Sequence, residues 1–127
     1  MDRLLILAAL AGGFLVLALG ARVLARSRTL RARGLTPSEV WQALEAQPDG
    51  RPAVILFKTP SCTECATQRA LLQDVRVIEV DASVRPEVAG RFGVLTAPTT
   101  VILAADGRVR AVNHGFAGAE RLAAQLA

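Results

Sequence analysis

"FKTPSCTECATQ" (Phe57–Gln68) holds both cysteines of the chain, Cys62 and Cys65, three positions apart and just after an apolar run. Two thiols at this spacing can exchange electrons, hold a metal or close an inert crosslink, so the flanking sequence has to decide. Upstream, "AVILF" (Ala53–Phe57) is short and continuously apolar, the pattern of a strand buried on both faces. Downstream, Cys62–Gln73 predicts a helix with Ala66, Leu71 and Leu72 among its apolar positions. The pair therefore lies where a buried strand passes into a helix.

The same pattern extends in both directions. Thr36-Pro37-Ser38-Glu39 reads as a capping box with proline at the first helical position, and Val40, Trp41 and Leu44 give residues 37–47 one apolar face. "QPDGRP" (Gln47–Pro52) ends that helix. "VRVIEV" (Val75–Val80) predicts a second strand, residues 84–92 a short helix, and "TTVIL" (Thr99–Leu103) a third strand. "AADG" is a hairpin turn signal leading into a fourth strand, Arg108–Val112. A last helix runs from Phe116 or Ala117 to Leu126, and Thr29–Arg33 is a candidate further edge strand. A βαβ unit followed by a hairpin and a helix is an α/β fold, a mixed central sheet covered by helices on both faces.

Charge separates the N-terminal region from this domain. Of 127 residues with formal net charge +4, residues 1–33 carry six Arg against the single acid Asp2, whereas residues 34–127 carry nine basic and ten acidic groups. The domain is thus near neutral and poor in aromatics, which excludes a phosphate-binding face and a base-stacking platform; no nucleic-acid partner is expected. Leu4–Ala21, "LLILAALAGGFLVLALGA", is uncharged and as a helix spans ~27 Å, close to a hydrocarbon core. The alternative is a cleaved signal peptide with a small-residue site at "ALG-AR". Arg22, Arg26, Arg28, Arg31 and Arg33 follow the run with no acid among them. By the positive-inside rule they hold the domain in the cytoplasm, with an extracytoplasmic domain as the alternative. The expected organisation is a transmembrane anchor over 1–25, a basic juxtamembrane linker over 26–35 and a domain over 36–127, in a single-pass protein of the cell membrane.

The layout from residue 36 onward resembles the thioredoxin family. Three motifs carry the likeness: "CTEC" between strand and helix, Asp81 closing the next strand in "VIEVDASVRPEVAGRFGV", and "VLTAPTTVIL", which sets Pro98 before a strand about 35 residues beyond the cysteines. The resemblance implies a thioredoxin-like fold, a cis peptide at Pro98 packed near the cysteines, and a loop Thr96-Ala97-Pro98 that offers backbone groups to an extended substrate segment. The chain departs from the family where Ser61, rather than Trp, precedes the first cysteine and where Thr63-Glu64, rather than Gly-Pro, separates the two. The place of the family's buried acid falls on Leu56 and that of its basic partner on Val77.

Disulfide exchange needs a thiolate, and a helix start favours negative charge, so Cys62 is the expected attacking thiol and Cys65 the resolving one. Glu64 beside the pair disfavours the thiolate and makes the couple more reducing, unless it serves only as a first-turn helix acid. Lys58 is a candidate source of positive potential. The leading expectation is a membrane-anchored thiol–disulfide oxidoreductase with no prosthetic group. Its partners would be protein disulfide clients and an electron donor such as a thioredoxin reductase or another thiol protein. Metal or metallochaperone binding is a second reading, though two cysteines fall short of a closed zinc site and no metal is expected. A redox-inert docking module is a third. His114 in "NHGF" reads as part of the turn before the last helix, and Trp41 as packed against the sheet.

Overall fold

The computed structural model describes residues 2–127. Its elements are α1 (Asp2–Arg33), α2 (Pro37–Leu44), β1 (Ala53–Lys58), α3 (Cys65–Ala70), β2 (Arg76–Asp81), α4 (Pro86–Arg91), β3 (Thr99–Leu103), β4 (Val109–His114) and α5 (Ala119–Leu126). The four strands form one sheet in the order β2-β1-β3-β4, with β1 parallel to β2 and antiparallel to β3, and β3 antiparallel to β4. Ala53 to Phe57 are all fully buried, as a central strand covered on both faces requires.

Strand alternation splits the core in two. Ala53, Ile55 and Phe57 of β1 face α2 and α4 and pack with Trp41, Val88 and Phe92; Phe57 and Phe92 meet as a tilted pair with ring centroids 5.6 Å apart. Val54 faces the opposite side with Leu72, Ala117 and Leu122. A buried polar network closes that second side. Asn113 of β4 donates to Thr100 Oγ1 at 3.0 Å and to Gln125 Oε1 of α5 at 2.7 Å, while Gln125 Nε2 donates back at 2.9 Å.

Local chemistry sets the element ends. Thr36 Oγ1 accepts from the Glu39 backbone N–H, and Glu39 Oε2 accepts from the Thr36 N–H, both at 3.3 Å, so the capping box forms. α2 stops at Leu44, earlier than expected, because Glu45 turns left-handed (φ 53°) and donates back to the last carbonyls. The hairpin turn closes on Gly107 at φ +92°, where an added Cβ would sit 2.5 Å from Trp41 Nε1. β4 runs two residues further than expected, so His114 is its last residue and not part of a turn. Between Ile102 and Leu103 the register slips, which leaves Arg110 as the extra residue of a β-bulge.

The N-terminal region differs most from expectation. Residues 26–33 are the C-terminal turns of the same continuous helix that contains the apolar run, so Thr29–Arg33 adds no strand. An 18-residue window of α1 has a mean hydropathy of 2.5 and is not buried at all; the helix is long and apolar enough to cross a membrane. Its last turns pack on the domain instead of leading to it. Ala32 is fully buried, Arg33 Nη2 donates to the Arg110 carbonyl at 3.2 Å, and Thr29 Oγ1 lies 3.3 Å from His114 Nε2.

Candidate functional site

The site grows from the C-terminal end of β1. Antiparallel pairing sets Phe57 opposite Thr99, which brings the loop after β1 alongside the loop before β3. The first loop holds Thr59 to Glu64, Cys62 among them, and leads into Cys65, the first residue of α3; the second holds Thr96, Ala97 and Pro98. The Ala97–Pro98 peptide is cis. Pro98 is buried and its carbonyl accepts from Gly115 N–H at 2.9 Å, while Thr99 Oγ1 donates to the Thr96 carbonyl at 2.7 Å. A cleft of about 350 Å³ opens between the two loops and α4, lined by Thr59, Ala89, Val94, Leu95, Thr96 and Ala97.

Cys62 and Cys65 are joined as a disulfide, S–S 2.12 Å and Cα–Cα 5.6 Å. The expected helix over 62–73 is shorter. The Cys62 N–H donates to the Thr59 carbonyl in a tight turn, α3 begins only at Cys65, and after Ala70 the chain tightens into i to i−3 bonds from Leu71 and Leu72. Cys62 therefore precedes the helix, two residues before its N-cap Glu64, and does not sit in its first turn. The two cysteines differ instead in exposure: Cys62 is half-buried, whereas Cys65 is only 8% exposed.

The two expected tuning residues sit in different settings. Glu64 is exposed at the N-cap of α3, and its side chain makes no capping hydrogen bond. Lys58 is drawn toward Glu79 of β2, Nζ to Oε1 at 3.9 Å, and Arg69 of α3 approaches the same oxygen at 3.8 Å. Its charge is thus shared with a carboxylate rather than left free. Leu56, at the place of the family's buried acid, is fully buried, so that position supplies no carboxylate. Asp81 works as a turn former: its carboxylate accepts from Ser83, and that bond first, against a smaller burial effect, holds its pKa below the usual value. Among the described residues no group of three or more His, Cys, Asp or Glu is gathered in metal-binding geometry.

Two residues escaped sequence reasoning. Gln68 is fully buried on α3 and clasps one backbone unit: Nε2 donates to the Ala117 carbonyl at 3.0 Å and Oε1 accepts from its N–H at 2.7 Å. This clasp ties the cysteine helix to the segment Gly115–Gly118, which Gly115 ties in turn to Pro98. The signal was present, since Cys65, Gln68 and Leu72 share one helical face and the middle one is polar. Phe116 in that segment, a large apolar side chain left 40% exposed, had no periodic signature at all.

A disulfide of two near cysteines at the entry to a helix, on a mixed sheet beside a cis-proline loop, defines a dithiol–disulfide protein of thioredoxin-like fold. No protein-family profile matches the chain. It is similar to the SPbeta prophage-derived thioredoxin-like protein YosR of Bacillus subtilis, 36% identical over 65 residues that cover 50% of this chain and 81% of that one. Among solved structures it is similar to the thioredoxin of Fasciola hepatica (TM-score 0.56, 22% identity, 70% of this chain and 89% of that one). A thioredoxin from Halobacterium salinarum superposes with TM-score 0.58 at 20% identity, over 72% of this chain and 82% of that one. The chain belongs to the thioredoxin family, as a divergent member.

Proposed function

We propose that this protein is a membrane-anchored thiol–disulfide oxidoreductase that reduces protein disulfides. The observation that carries the reading is the unequal exposure of the two joined cysteines, on a loop whose Thr59 also lines an open cleft. The Cys62 thiolate attacks one sulfur of a client disulfide; a Cys62–client disulfide forms, and the displaced client thiolate takes up a proton. Cys65 then loses its proton and attacks Cys62 Sγ. The Cys62–Cys65 bond closes and the second client thiol leaves. The client gains two electrons and the domain loses two. A dithiol donor, such as a thioredoxin reductase or another thiol protein, reverses the oxidation by the same exchange.

Thr96, Ala97 and Pro98 are assigned to hold the client segment along the cleft, and Glu64 and Lys58 to bias the couple. Residues 1–25 act as the anchor and 26–35 as its basic flank, and the domain over 36–127 stands on the cytoplasmic side because the five arginines follow the apolar run. In the full-length protein, Cys65→Ser is expected to accumulate mixed disulfides with clients and Cys62→Ser almost none; the reverse pattern would reassign the two thiols. Digestion of the domain by protease added outside intact cells would reverse the orientation.

A further inference from the structure

The substrate cleft and the membrane-exit end of α1 share a wall. A second pocket of about 240 Å³ is lined by Leu24, Arg28 and Arg31 of α1 together with Gly93, Val94 and Leu95. Val94, Leu95 and Gly90 also line the cleft that contains Thr96 and Ala97. Leu95 forms the ridge between the two and is 71% exposed. The cleft is therefore one pocket's width from Leu24, which lies three residues, or ~4.5 Å along a helix axis, past the last residue of the uncharged run, Ala21.

This proximity is fixed by packing. Gly93 has φ +68°, and a Cβ there would lie 2.8 Å from the Arg28 carbonyl oxygen, so the helix backbone sits directly against the loop. Arg28, Thr29, Ala32 and Arg33 hold one side of α1 to Gly93, His114, the core and Arg110 respectively. No break separates this docked stretch from the apolar run. A headgroup layer is about 5–8 Å deep on each side of the hydrocarbon, so the level of Leu24 to Arg26 is the level of the lipid headgroups. Arg22 and Arg26 lie at that level and Arg28 and Arg31 just beyond it on the domain side, and cations suit an anionic lipid surface.

We infer that the clients of this site are integral membrane proteins, engaged at a disulfide that lies at the headgroup level of the bilayer on the domain's side. The inference rests on the anchored-oxidoreductase reading and gives it a substrate class. A disulfide on a large soluble protein would have to be brought down against the headgroups, between the ridge at Leu95 and the lipid. A juxtamembrane segment is already there, and it can enter the cleft extended alongside Thr96 and Ala97 while its own span stays in the bilayer beside α1.

The test reconstitutes the full-length reduced protein in vesicles with single-span model peptides. One peptide carries its disulfide within about two residues of the apolar span, and another about ten residues out, up to ~33 Å away. A seven-residue insertion of polar helix formers between Arg22 and Val23 lifts the domain by ~10 Å and turns it by only about 20°, with the docked stretch 24–33 intact. The wild-type chain is expected to reduce the near disulfide about tenfold faster than the far one, and the lifted variant to lose or invert that preference, as expected when only one geometry spans the two sites. Equal rates with wild type, or faster reduction of the far disulfide, would overturn the inference in favour of soluble clients. A preference that survives the insertion would overturn it too. A small soluble aromatic disulfide serves as the control: failure to reduce it sinks the oxidoreductase reading itself, whereas its reduction without the near preference sinks only the client class.

Discussion

Gln68→Leu keeps the size and apolar packing of a fully buried side chain while deleting both bonds to Ala117. Ala117 is itself fully buried, so its N–H and carbonyl lose their partners where water does not reach. An unsatisfied buried polar group costs about 1–3 kcal/mol, and two of them roughly 2–6 kcal/mol. For a domain of this size 1 kcal/mol corresponds to about 4–8 °C, which places the fall in thermal midpoint at roughly 10–50 °C. The assay is thermal or urea unfolding of the oxidised full-length chain in detergent micelles, with Gln73→Leu on the exposed side of the same segment as control. Gln68→Glu sharpens the reasoning. One carboxylate oxygen can still accept from the Ala117 N–H, but the other faces the Ala117 carbonyl and repels it unless protonated. Burial and that repulsion raise the folded-state pKa of the introduced acid, so the folded state takes up the proton first. The Glu variant is therefore least stable at neutral pH and recovers as pH falls through the raised folded value. A Gln68→Leu protein within about 0.5 kcal/mol of wild type would refute the clasp, since that is the range of an unremarkable surface change.

Glu64→Gln removes an exposed carboxylate beside Cys62, stabilises the thiolate and hence the reduced form, and is expected to raise the reduction potential by ~10–30 mV in glutathione or dithiothreitol buffers; an unchanged or lower potential would remove Glu64 from redox tuning. Desolvation of the ring where it meets α1, and then the Arg28 charge, hold the His114 pKa below the usual value although the residue as a whole is exposed. The folded state thus binds this proton less readily than the unfolded state, so stability is full above the unfolded value and falls as pH drops below about 6.5, and His114→Gln should flatten that part of the profile. Gly107→Ala places a side chain at φ +92° against the Trp41 indole and should destabilise by more than the roughly 1–3 kcal/mol of the backbone conformation alone, read as a lowered urea midpoint.

The sheet was legible because its signals are local. A five-residue apolar run between turn signals is too short for a helix and fits a strand covered on both faces, and Thr36 with Glu39 signals a helix start. Proline and glycine likewise marked the turns near their true places. The lengths of α3 and β4 were not legible in the same way. The cysteine turn is closed by a backbone bond from Cys62 to Thr59 that no side chain signals, and β4 continues through Asn113 because that amide finds Thr100 and Gln125, one of them twelve residues away. The course of residues 26–33 was hidden for a similar reason. Arginine-rich sequence reads equally well as linker or helix, and what selects the helix is contact with Gly93, His114 and Arg110, far along the chain. At the site, the cysteines and the proline loop stood out by residue type, whereas Gln68 was masked because one glutamine on a helix ordinarily faces water.

The sheet has two outer strands, and each is protected from recruiting a foreign chain in its own way. At β4 the unpaired residue of the bulge, Arg110, offers its carbonyl sideways, and Arg33 occupies it, while the Arg110 guanidinium reaches on to the Ala127 carbonyl. At β2 the apolar core of "VRVIEV" is interrupted by Glu79, which holds Lys58 and Arg69 close by, and the strand begins at Arg76, stacked 5.3 Å over the Trp41 ring. A molecule that pairs by edge addition would have to bury these charges or displace α1. Where copies crowd together, neighbours then meet helix and charge rather than open backbone, so high local density does not by itself zip the sheets of adjacent domains into a continuous ribbon.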